Sequence, residues 1–66
     1  MNLVVNGKKR EVPDGTTVSD LVAELGLSDR NVVVELNREP VDRDSYATKL
    51  SAGDVIEIVR AVAVGC

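Results

Sequence analysis

The chain has 66 residues, 44% of them hydrophobic, one aromatic residue (Tyr46), no histidine, one cysteine (Cys66) and a formal charge of −3. A domain of this size buries only roughly 60% of the surface its unfolded chain exposes, so it can build one small core and no deep catalytic cavity. The acidic balance and the lack of stacking aromatics exclude nucleic-acid binding. One cysteine without histidine excludes a structural metal site and an internal disulfide, and no apolar stretch reaches the ~18 residues of a membrane span.

In chain order, Asn2-Leu3-Val4-Val5-Asn6 reads as a short strand. Asn6-Gly7 is a hairpin turn signal, because both residues tolerate positive φ, and Lys8 to Val12 returns as a second strand. Pro13-Asp14-Gly15 ends it. Thr17 is placed to cap a helix, with Asp20 in the position of a capping box, where Glu is the usual partner. Val18, Leu21, Val22 and Leu25 follow at helical spacing and form one apolar stripe. Gly26 stops the helix, which is expected to span about ten residues, or roughly 15 Å.

Asn31 to Asn37 is a third strand with Val32, Val34 and Leu36 on one face. Arg38-Glu39-Pro40 is read as the turn after it, and Val41 as either a minimal edge strand or a plug entering the core from a loop. Asp42 to Lys49 is polar, irregular or a single helical turn. Ser51 to Asp54 turns the chain into the last strand, Val55 to Arg60, whose Ile56 and Ile58 are assigned to the core.

Hairpin, helix, strand, polar crossing and final strand make an α+β domain. Its four- to five-stranded mixed sheet carries one main helix on one face. Placing the first and last strands side by side and parallel in the centre gives the β-grasp, or ubiquitin-like, arrangement. Residues 1–60 form this domain. Residues 61–66, Ala-Val-Ala-Val-Gly-Cys, are read as a flexible tail, slender enough to enter a narrow active-site channel.

With these elements in this order, the chain resembles the ThiS branch of the small sulfur-carrier proteins, relatives of ubiquitin and of the small subunit of molybdopterin synthase. The residues that carry the resemblance are Asn6-Gly7, Thr17-Val18-Ser19-Asp20-Leu21-Val22, Val34-Glu35-Leu36-Asn37 and Gly53-Asp54-Val55-Ile56-Glu57-Ile58-Val59. The resemblance implies a carrier that is not itself an enzyme and holds no cofactor or metal. An adenylating enzyme related to ubiquitin-activating enzymes would activate the terminal carboxylate with ATP. A persulfide donor such as cysteine desulfurase would then supply the sulfur of a thiocarboxylate. Thiazole synthase, in thiamine biosynthesis, or another acceptor enzyme would consume it. A cytoplasmic monomer fits such a shuttle.

Family members end in Gly-Gly. Counted from Gly53-Asp54, the terminal glycine corresponds to Gly65, which leaves Val64 in the penultimate glycine position and Cys66 beyond the end. Gly65 is therefore the expected acyl site, with Cys66 the alternative if Gly65-Cys66 occupies the Gly-Gly positions. Cys66 is open to three explanations: removal by a C-terminal peptidase, introduction by engineering, or use of its thiol as a persulfide carrier. Trimming would suit a carrier for homocysteine, methionine or cysteine synthesis. Val59, Ala61, Val62, Ala63 and Val64 form the expected partner-docking tail, the competing role for its first residues being further strand pairing. The remaining alternative is a non-catalytic β-grasp interaction module. Lys8-Lys9-Arg10 reads as a solvated hairpin end. Asp42, Asp44 and Asp54 read as exposed turn residues and not as an acid–base pair.

Overall fold

The computed structural model describes residues 1–60. Strands β1 (Asn2–Val5) and β2 (Lys8–Glu11) form the hairpin, followed by helix α1 (Val18–Glu24), β3 (Val32–Leu36), β4 (Glu39–Pro40) and β5 (Val55–Arg60). Single 3₁₀ turns lie at Asp29–Asn31 and Arg43–Ser45. The five strands make one sheet in the order β2-β1-β5-β3-β4. β1 and β5 are parallel neighbours, and the other pairs are antiparallel. This is the β-grasp topology expected from the order of elements, with α1 lying on one face of the sheet.

The hairpin forms because Asn6 and Gly7 both adopt positive φ, +51° and +81°, the geometry of a type I′ turn that matches strand twist. A second turn of the same kind sits one residue earlier than expected. Asn37 and Arg38 take φ of +51° and +71°. β3 therefore ends at Leu36, and Glu39–Pro40 becomes a two-residue edge strand. Pro40 is tolerated there because an edge strand leaves one flank without ladder partners. Val41 plugs the core from the following loop, half-buried, while its N–H donates to the Val34 carbonyl at 2.9 Å.

Helix α1 is shorter than expected, seven residues, and its ends explain why it is stable at that length. The capping box is complete: Thr17 Oγ1 accepts from the Asp20 N–H at 3.1 Å, and Asp20 Oδ2 accepts from the Thr17 N–H at 3.2 Å. The Val18 and Ser19 N–H groups donate to the carbonyls of Thr48 and Tyr46, at 3.2 and 2.9 Å. The crossing segment thus satisfies donors that a helix start leaves without partners. At the other end Gly26 (φ +76°) closes a Schellman motif. Its N–H donates to Ala23 at 2.9 Å, and the Leu27 N–H donates to Val22 at 3.1 Å.

The core joins the helix stripe to the inward positions of the strands. Leu3, Val18, Leu21, Val22, Val34 and Ile56 are the largest fully buried side chains. Val5, Val12, Val32 and Ile58 complete it, with Leu25 and Leu36 packed at its edge. The polar crossing contributes a core residue that its composition concealed, Tyr46, and Leu50 directly after it is a second, both buried. Leu50 is drawn in by a backbone bond from its N–H to the Thr16 carbonyl at 2.8 Å. Thr16, the one buried polar residue among those described, donates from Oγ1 to the Pro13 carbonyl at 2.7 Å.

Candidate docking face and tail root

Because side chains alternate along a strand, burying Leu3, Val5, Val32, Val34, Ile56 and Ile58 under α1 forces their neighbours onto the opposite face. Three of these neighbours are large hydrophobics left in solvent: Val33 at 53% exposure, Val55 at 40% and Val59 at 60%. The register sets Val33 directly opposite Val59, and Val55 opposite Val4 of β1. Between the two valine rows, Glu35 and Glu57 face each other across β3 and β5. The open face is therefore an apolar strip divided by a like-charge pair. Like charges directly opposite in a sheet are destabilising, so the fold derives no benefit from this pair.

Of the expected site residues, Val59 is on this open face. Ala61, Val62, Ala63, Val64, Gly65 and Cys66 lie outside the described residues. Val33 and Val55 were not singled out from sequence, although alternation counted outward from Ile56 and Val34 would have found them.

The last described residues, where β5 leads into residues 61–66, are held unequally. On the β3 side the pairing runs to the end, Val33 with Val59 and Val32 with Arg60. On the β1 side main-chain pairing stops at Val5 with Ile56. The Asn6 N–H adds one bond to the Ile56 carbonyl at 2.9 Å. The Asn6 side chain then continues the ladder: Oδ1 accepts from the Ile58 N–H at 2.8 Å and Nδ2 donates to the Ile58 carbonyl at 3.2 Å. Asn37 plays the matching part at the start of the strand. Its Oδ1 accepts from the Val55 N–H at 2.9 Å, its Nδ2 donates to Asp54 Oδ1 at 3.2 Å, and its N–H donates to the Val55 carbonyl at 2.7 Å. The sequence places Asn6 in a turn and Asn37 at a strand end, and both among the residues that carry the resemblance, but gives no sign of these carboxamide bonds.

The other sequence candidates are structural. Asp54 accepts from the Ser51 N–H at 2.8 Å and fixes a turn, while Asp42 and Asp44 are exposed. Arg10 pairs with Glu24 at 3.0 Å, tying the hairpin to the helix, and Lys8 and Lys9 are solvated. Among the described residues no group of His, Cys, Asp and Glu could hold a metal ion, and no helix is long and apolar enough to cross a membrane.

The model of the ThiS family matches residues 3–65. The chain belongs to the ThiS family. The sulfur carrier protein ThiS of Bacillus subtilis is 38% identical over 65 residues, which cover 96% of this chain and 98% of that protein. The crystal structure of the thiamine biosynthesis protein ThiS from Geobacter metallireducens superposes with a TM-score of 0.82 at 32% identity, covering 98% of this chain and 100% of that one. Two thiazole synthases also match, those of Paramagnetospirillum magneticum, 42% identical over 66 residues, and Magnetococcus marinus, 35% identical. The ThiS-like chain spans only 20% of the length of these two relatives.

Proposed function

We propose that this protein is a sulfur carrier of thiamine biosynthesis, with residues 1–60 as its docking body and 61–66 as its working tail. The observation that carries the reading is the family match over residues 3–65. Its end at residue 65 also favours Gly65 over Cys66 as the acyl residue. The carrier itself is not an enzyme. An adenylating partner joins the Gly65 carboxylate to AMP, releasing pyrophosphate. A persulfide sulfur then attacks the acyl carbon and AMP leaves, after which a thiol cleaves the S–S bond and frees the thiocarboxylate. The identity of two thiazole synthases to this chain supports thiazole synthase as the acceptor.

The body's contribution is recognition. Val33, Val55 and Val59 supply apolar area that binding would remove from water, and Glu35 with Glu57 supplies a negative centre for a basic partner surface. The tail adds reach: Gly65 stands five residues beyond Arg60, at most about 18 Å of chain. Cys66 has to be removed by a C-terminal peptidase before Gly65 carries a free carboxylate.

Intact-mass spectrometry tests this reading. The protein ending at Gly65 is incubated with ATP, a persulfide donor and the cognate adenylating enzyme. The expected product is heavier by one oxygen-to-sulfur exchange. Unchanged mass with no adenylate would refute the carrier. If the protein ending at Gly65 binds partners through its open face but undergoes no acyl chemistry, and deleting residues 64 and 65 changes nothing, the face is that of a simple interaction module instead.

A further inference from the structure

We propose that Asn6 is a positioning residue for the chemistry at the chain's end, an inference that rests on the carrier reading above. Asn6 lies 52 residues from Ile58 in sequence, yet its carboxamide bonds both backbone groups of that residue, at 2.8 and 3.2 Å. A carboxamide has the donor and acceptor of a peptide group, so it lengthens the parallel ladder where β1 itself has turned away. The left-handed φ of +51° makes this possible: it swings the main chain into the hairpin and leaves the side chain alongside β5. Beyond Ile58, among the described residues, the strand is paired on its β3 side alone, through Val59 and Arg60. The Asn6 bracket is thus the last two-sided clamp before the tail.

A carrier's tail must be ordered when it enters a partner's active site. Each backbone residue that has to be newly fixed on binding weakens association, by about tenfold for a single residue. A clamp at Ile58 keeps the root of the tail ordered beforehand, so that cost is met in folding and not in docking. The effect falls on formation of the complex and therefore on KM, with kcat preserved.

The test compares Asn6→Gly with Asn37→Gly. Glycine accepts positive φ at both sites, so each change deletes a carboxamide from one end of β5 without straining the turn. Both are made in the chain ending at Gly65. They are assayed as substrates of the adenylating enzyme by ATP–pyrophosphate exchange, under conditions where denaturation curves place each above 99% folded, a threshold set by about 3 kcal/mol of stability. Asn6→Gly is expected to raise the carrier's KM about tenfold with kcat within about twofold, and to speed amide exchange at Ile58. Asn37→Gly is expected to leave KM within about twofold of wild type, because it loosens only the strand's start. Asn6→Asp keeps the acceptor and loses the donor, and its KM should fall between wild type and Asn6→Gly; it also serves as the test if the glycine variant does not fold. Equal KM for wild type and the Asn6 variants, or equal losses in the Asn6 and Asn37 variants, overturns the inference and leaves the carrier reading intact. A wild-type chain that is never adenylated overturns the carrier reading, and this inference with it.

Discussion

Reversing one charge on the open face, Glu57→Lys, should strengthen the fold and weaken the docking. Glu57 sits directly across from Glu35, a separation at which side-chain Cβ atoms are about 5 Å apart. Two unit charges at that distance in water interact by roughly 0.8 kcal/mol before salt screening. The substitution removes that repulsion and replaces it with attraction. Side-chain mobility and screening reduce the sum, since both groups are exposed. A net gain of about 0.5–1 kcal/mol remains, equivalent in so small a domain to a Tm rise of about 3–6 °C. Urea denaturation in low and physiological salt measures it, and the gain should shrink as salt is added. The same variant should raise the carrier's KM with its adenylating partner, most strongly at low salt, because the negative centre of the face has been lost. A variant that is less stable than wild type, or one that docks equally well at low salt, refutes the assignment of this pair to partner recognition.

Three further outcomes are expected. Ile56→Ala empties the fully buried centre of β5 and should cost about 3–4 kcal/mol, most of the stability of a domain this small, as denaturant unfolding would record. Thr17→Ala removes the side-chain arm of the capping box and leaves the bond from the residue-17 N–H to Asp20 in place; it should cost about 1 kcal/mol, with the loss of helical circular dichroism tracking the lower midpoint. The double variant Val33→Thr/Val59→Thr keeps β-branched side chains in both strands, so it should fold with little change in midpoint. It should raise the KM for adenylation about tenfold through lost apolar burial; unchanged KM would remove these valines from the interface.

Most of the fold was legible because its signals are local. Asn6-Gly7, the Thr17 cap, the Val18-Leu21-Val22 stripe and Gly26 each act within a turn or two of chain, and each forms the feature its residue types favour. The departures come from longer-range bonds. The turn after β3 moved to Asn37-Arg38 because Asn37 is recruited to cap Val55, 18 residues away. Tyr46 inside the polar segment and Leu50 at its end are core residues, and only the pairing of that stretch with the start of α1 draws them inward. The open face was half legible: Val59 was singled out, but its partner Val33 becomes visible only with the β3–β5 register. Gly65 and Cys66 rest on the resemblance and the family match, since no periodicity or packing rule bears on a terminal segment.

The place of β5 in the sheet also governs when the protein can work. Among the described strands, the one furthest along the chain is the central one, flanked by β1 and β3. The pairing of the first strand with the last closes nearly the whole chain into a loop, a non-local contact of the kind that slows folding. A chain interrupted before Val55 lacks the middle of its sheet, not an edge. Assembly of the sheet therefore waits on β5. On the carrier reading proposed above, a partner that grips the folded body thereby passes over chains that lack β5.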